Sequence, residues 1–296
     1  MPGETTTAAL QDSLPTMRMG ARMVKEQKGR LRDFVDSVQL GKGMGTSWSE
    51  VDFAKINAQS VSETTDLRDN PQQLVDALTS IKPTDCGIHV LYTDIVGDKV
   101  IAQAASIVRS GALGMAAIMR KDNLDGITQG RSATTDLGTA GNPLASSLIR
   151  HLKYRISSNV TEPNPDGPFH FIHHGFALAD IDDELSAPLG TYPITSGLSE
   201  EVIINGYGSS PRMIGGVFVH EMGDLTIDGS DDCEGFGFAR DGMIHVEGLG
   251  LRTEAIRVPG FGGGATSVYM YYDYAWGFRS SGNWLFSATA DATAPA

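Results

Sequence analysis

From residue 86 to 92 the chain alternates. Cys86, Ile88, Val90 and Tyr92 fall on one side and Gly87, His89 and Leu91 on the other, the two-residue period of a strand. Downstream the period changes. Val100, Ala104, Ile107, Val108, Met115, Ile118 and Met119 recur at three- and four-residue steps, which predicts an amphipathic helix, the longest in the chain, capped by Asp94 or Asp98. Small residues along it (Ala102, Ala105, Gly111, Gly114, Ala116) predict close approach by other segments. After a loop at 122–140 a second helix is expected, with Asn142 as cap, Pro143 in its first turn and Leu144, Leu148, Leu152 and Ile156 as its buried stripe. A turn at 162–167, a strand at 169–173 and a short helix over Phe176, Leu178, Ile181 and Leu185 follow. Strands are predicted at 202–204, 213–220, 225–227, 236–239, 251–258, 266–278 and 284–288. Helices followed by a strand-rich half predict an α+β fold.

The first third reads differently. Residues 1–15 are rich in Thr, Ala, Ser and Pro and predict a flexible lead-in. Residues 24–38 predict a short helix with Leu31, Phe34, Val35 and Val38 on one side, stopping at the glycine-rich run 41–45. From there to about residue 85 no helical period appears. Trp48, Val51, Phe53 and Ile56 stand among polar residues, 60–71 is almost wholly polar, and Leu74, Val75, Leu78 and Ile81 come next. This pattern predicts two extended arms joined by a polar tip. So long a stretch with no core of its own is uncommon in a compact domain and predicts either disorder or a projecting loop that orders against a partner.

Composition narrows the class. With 41% hydrophobic and 20% charged residues the chain suits an ordered globular protein, and many of its 35 glycines cluster, which favours turns. No run approaches the roughly 20 apolar residues that span a bilayer, so no membrane partner is expected. The first residues lack the basic-then-apolar pattern of a signal peptide. Cys86 and Cys233 form no disulfide framework. A net charge of −13 opposes nucleic-acid binding over the whole surface. Arg18, Arg22, Lys25, Lys28, Arg30 and Arg32 nevertheless form a basic arm, opposed nearby only by Glu26 and Asp33. It suits DNA, an acidic face of a neighbouring copy, or a solvated helix surface.

Candidate chemistry is thin. Residues 41–47 fail the phosphate-loop order because Gly43 follows Lys42. The glycines of 260–264 lie between strands and mark a hairpin or bend. His170, His173 and His174 beside Asp180, Asp182 and Asp183 are the best metal candidates, but strand alternation turns His173 away from the other two. A calcium loop starting at Asp224 would carry Thr226 at its third position and Gly235 at its twelfth, where a bidentate Glu is needed. No hydrolase or protease motif occurs. No catalytic, metal or cofactor residue is assigned.

The order of these features resembles the major capsid proteins of tailed double-stranded DNA bacteriophages, whose fold is shared with encapsulins and the herpesvirus capsid floor. Carrying the resemblance are 38–43, Ser62-Glu63-Thr64, Ile81-Lys82-Pro83 and 88–94, which look like the family's extended loop. Residues 96–121, ending in Arg120-Lys121, look like its spine helix. Residues 169–174 with 180–185 look like the opening of its axial domain, and 235–242, 251–254 and 271–276 like its late strands. The resemblance implies an N-terminal arm (1–37), extended loop (38–86), peripheral domain with spine helix (87–160), axial domain (161–258) and closing peripheral strands (259–296). It implies a structural, non-enzymatic shell subunit of a virion, made in a host cytoplasm and assembling with copies of itself into hexamers and pentamers around double-stranded DNA held by non-specific contact. A separate scaffolding protein, a portal and a decoration protein are the further partners it suggests. Inter-subunit contact is expected from Trp48, Phe53 and Ile56 and from the basic arm (Arg18, Arg22, Lys25, Lys28, Arg30, Arg32). The alternatives are an encapsulin-like compartment and a metal-dependent hydrolase using His170, His173 and Asp180.

Overall fold

The computed structural model describes residues 31–43, 45–53, 56, 58–63, 71, 73–74, 76–95, 103–158, 165, 167–186, 212–260, 263–279 and 282–295. In chain order its main elements are helix α1 (Leu31–Phe34) and strands β1 (Asp36–Gln39), β2 (Trp48–Phe53), β3 (Asp76–Ile81) and β4 (Thr84–Thr93). Helices α2 (Gln103–Arg131) and α3 (Ser146–Ser157), strand β5 (Phe169–His173) and helix α4 (Gly175–Ser186) follow. The remainder is strand: β6 (Arg212–Ile214), β7 (Val217–Glu221), β8 (Asp232–Ala239), β9 (Met243–Glu247), β10 (Arg252–Val258), β11 (Ala265–Phe278) and β12 (Leu285–Asp291).

These strands form two five-stranded sheets and one hairpin. The first sheet runs β1-β9-β11-β10, with β4 also paired to β11. The second runs β12-β8-β5-β7-β6, and β2 with β3 stands alone as a two-stranded ribbon. Hydrogen bonding groups the strands differently from the sequence expectation. β9 and β10, expected with the axial segment 161–258, belong to the sheet of β4 and β11, whereas β12, expected among the closing peripheral strands, pairs with β8. The chain therefore shuttles between sheets.

Of the described part of the long helix's expected stripe, Ile118 is buried whereas Met115 is 45% exposed. Ile118 lies against Val268, Met270, Tyr272 and Tyr274 of β11, with Ile88 and Tyr92 of β4 beside them. At Gly114 a methyl group would sit 2.6 Å from the Met270 sulfur, so the small residue there is what lets helix and sheet touch. The helix runs on to Arg131, through the first ten residues of the expected loop at 122–140. Buried Asp122 and Asn123 break the apolar period there, while Gly126 and Gly130 admit Trp276 and Phe236. Asp122 accepts from Trp276 Nε1 (2.8 Å) and faces His245 Nε2 (3.2 Å). Asn123 accepts from the Leu31 amide (3.3 Å) and donates to Asp224 (3.0 Å). This one polar turn ties α1, the first sheet and the acidic 222–231 loop to the helix.

Three further expectations are corrected. The N-terminal helix ends at Phe34, and Val38 lies in β1, drawn into a strand by parallel pairing with β9. α3 begins at Ser146 rather than after Asn142; Glu184 caps it by accepting from the Ser146 amide (2.7 Å) and hydroxyl (2.8 Å). The single strand expected at 213–220 is a tight hairpin, turned at Gly215 and Gly216 with φ of 60° and 84°.

Candidate assembly surface

β2 and β3 pair antiparallel, with Val51 opposite Leu78, Phe53 opposite Asp76 and Trp48 opposite Ile81. Opposite partners share a face, so Ser49, Val51 and Phe53 stand with Ser80, Leu78 and Asp76 on one side. Ser49 donates to Ser80 across that side (3.2 Å). It carries exposed apolar groups: Phe53 is 63% exposed and Leu78 67%, and Ile56, just past the strand, is 65% exposed. Nothing in the described part of the chain covers them.

The other side of the ribbon is anchored. Trp48 and Ile81 pack with Ile244, Val246, Leu40 and Ala275 on the first sheet. Arg279, at the end of β11, forms ion pairs with Asp36 of β1 (2.8 Å) and Glu50 of β2 (2.7 Å) and stands over the Trp48 ring at 5.8 Å. It also donates to the Asp241 carbonyl (3.2 Å). One guanidinium thus fixes the ribbon to the arm strand and to the body. The link from β1 uses Gly43 and Gly45, both at positive φ (91° and 103°), which turns the chain out into the ribbon. Arg279→Ala should loosen the base of the ribbon and raise its cleavage rate by a non-specific protease about tenfold, the equivalent of about 1.4 kcal/mol of local opening. Limited proteolysis followed by mass mapping measures this, and an unchanged rate would show that Arg279 does not hold the ribbon.

Of the expected contact residues, Phe53 and Ile56 are exposed, and Trp48 is half-buried against its own body. Arg32 pairs with Glu247 and donates to the Tyr272 hydroxyl (3.1 Å), which commits it within the subunit. Arg18, Arg22, Lys25, Lys28 and Arg30 lie outside the described residues. Sequence reasoning left Arg279 out of the surface; no local pattern marks a residue whose partners come from β1 and β2.

The histidines do not converge. β5 is buried along its whole length. His173 donates from Nε2 to the Ala288 carbonyl (3.2 Å) and accepts at Nδ1 from the His174 amide (3.0 Å), which occupies both ring nitrogens. His170 Nδ1 lies 3.0 Å from His220 Nε2, and Phe34 stacks on His220 at 3.7 Å. Among the described residues no three His, Cys, Asp or Glu side chains gather as a metal site.

Burial holds the His170 and His173 imidazoles down at about 4, with the positive charges of His220 and Arg240 adding to the effect at His170. Below pH 6.5 the unfolded chain takes up protons that the folded chain refuses. The stability tied to each neutral ring is complete above about 6.5 and is lost down to about 4, at up to roughly 1.4 kcal/mol per pH unit. Urea midpoints should therefore fall steeply between pH 6.5 and 5, and less steeply in His173→Asn. Equal slopes in the two proteins would remove His173 from the account.

No protein-family model and no curated protein matches the sequence. Solved structures do match. The capsid of Ralstonia phage GP4 superposes with a TM-score of 0.68 at 11% identity, covering 93% of this chain and 94% of that one. The head structure of Helicobacter pylori bacteriophage KHP40 does so with a TM-score of 0.68 at 9% identity, covering 92% and 93%. The chain has the phage capsid fold. The holo-SrpI encapsulin complex of Synechococcus elongatus PCC 7942 shares it, with a TM-score of 0.61 at 11% identity over 98% and 96% of the two chains.

Proposed function

We propose that this chain is the structural shell subunit of a phage capsid, without catalytic activity, which assembles into hexamers and pentamers of an icosahedral particle around double-stranded DNA. The observation that carries this reading is the ribbon. It is anchored on one side by Arg279, Trp48 and Ile81 and presents an uncovered apolar side formed by Val51, Phe53 and Leu78. An apolar face held rigidly away from its own core is built to be covered by another molecule. Many copies of one such contact in a closed shell sum to a stable particle. A separate scaffolding protein, a portal, a decoration protein, a virion location and assembly in a host cytoplasm belong to the same reading.

Negative-stain microscopy of the full chain expressed alone tests it. Closed shells or capsid-like rings are expected, and a monodisperse monomer at high concentration refutes it. A second reading is an encapsulin-like compartment, favoured by the near-complete superposition on the Synechococcus shell. Nuclease-protected DNA in particles from infected cells supports the capsid reading; a protein cargo without DNA supports the compartment.

A further inference from the structure

Helix α3 is unusual in a chain of net charge −13. Its sequence, SSLIRHLKYRIS, contains Arg150, Lys153 and Arg155 and no acidic residue. Arg150 and Lys153 lean toward the β6–β7 turn, where Lys153 donates to the Gly215 carbonyl (3.2 Å). His151, Tyr154 and Arg155 are all exposed, and their side chains make no hydrogen bond or ion pair with any other described residue. They rim an open groove of roughly 740 Å³ whose floor is apolar: Leu137, Leu148 and Phe286. A cationic and aromatic rim around an apolar floor fits a partner that offers a hydrophobic side chain beside a carboxylate.

The same subunit carries such a corner, and carries it elsewhere. Phe176, at the start of α4, is 38% exposed with its ring edge-on to His174, and Glu221, at the end of β7, lies against neighbouring Gly175 and interacts with His174. Sheet register fixes the distance between corner and groove. Phe286 of the groove lies opposite Gly237, on edge strand β12. Glu221 pairs with His173 at the far end of β5, on β7, with β8 and β5 between that strand and β12. Three strand steps separate the two by about 14 Å. The corner cannot enter the groove of its own subunit.

We propose that the α3 groove receives the Phe176–Glu221 corner of a second copy of this chain, with Phe176 on the Leu137, Leu148 and Phe286 floor and Glu221 against Arg155. The contact joins unlike surfaces, so each copy offers its corner to one neighbour and its groove to the other. Repeated around an axis, such a heterologous contact closes a ring. It rests on the shell-subunit reading and names a contact that would hold the rings of that shell together.

The test uses the full chain and compares the parent with Arg155→Glu, Glu221→Arg, the double reversal, and Arg155→Lys, scored by sedimentation velocity and electron microscopy. Each single reversal is expected to lower the assembled fraction at least about tenfold, and the double reversal to recover most of it. Arg155→Lys, which keeps the charge, assembles as the parent does. A parent that stays monomeric overturns the shell reading itself. A parent that assembles while Arg155→Glu assembles equally well, or while the double reversal is no better than the singles, overturns the docking alone. If Arg155→Glu instead strips nucleic acid from intact particles, the groove holds a polyanion and the proposal falls.

Discussion

Phe53→Asp combined with Leu78→Asp yields a soluble, folded subunit that builds no closed shells. Both side chains are mostly exposed and belong to none of the buried apolar clusters among the described residues, so the fold loses little when they change. In a covered interface the same positions behave differently. Each apolar side chain removed forfeits about 2 kcal/mol of burial, and each carboxylate put in its place must be desolvated without a partner, at several kcal/mol more. A weakening of that size at every copy of a repeated contact shifts assembly from shells to free subunits. Thermal unfolding of the isolated variant should match the parent within a few degrees, while microscopy and sedimentation find no particles. Deleting the ribbon outright is a poorer test, because it takes Trp48 and buried Ile81 out of the core. Parent-like particles from the double variant would remove the ribbon's apolar side from assembly.

The opposite pattern is expected at Asp122. Its carboxylate is buried between His245 and Trp276 on the first sheet. Asp122→Ala leaves His245 Nε2 and the Trp276 N–H buried without their carboxylate partner and should cost about 3 kcal/mol of folding stability, read as a lower urea midpoint at unchanged slope. Asp122→Asn keeps an acceptor for the Trp276 N–H and should cost about half as much. The Ala and Asn variants failing to differ would mean that the packing volume, and not the polar contact, is what matters there. A subunit so weakened assembles poorly because it unfolds, whereas the Phe53/Leu78 variant fails while folded. Comparing the two separates stability from association.

Much of this architecture was legible wherever one period ran uninterrupted. The alternation of Cys86, Ile88, Val90 and Tyr92 marked β4, and the spacing of Ile118 and its neighbours marked α2. The ribbon was legible as a stretch too polar to own a core. Phe53 and Ile56 stood out because apolar residues in such a stretch have nothing local to bury against. Legibility failed where partners come from far along the chain. Val38 carries no mark that it will pair with Val246, and β9 was missed because its five residues directly follow the 3-10 turn Arg240–Gly242. The second half of α2 was hidden by Asp122 and Asn123, two polar residues buried for the sake of long-range hydrogen bonds. The packing of Trp48 was hidden for the same reason: its ring folds back onto its own body beside Arg279, whose other partners come from β1 and β2.

The shuttling of the chain between sheets has a consequence for synthesis. β11 completes the first sheet and β12 the second, and both come from the final fifth of the polypeptide. A nascent chain on the ribosome can make the ribbon early, yet it lacks the strand on which the Arg279 anchor sits and the edge strand that supplies Phe286. Both sheets therefore close late in synthesis, and the ribbon is held by Arg279 only after β11 has been made.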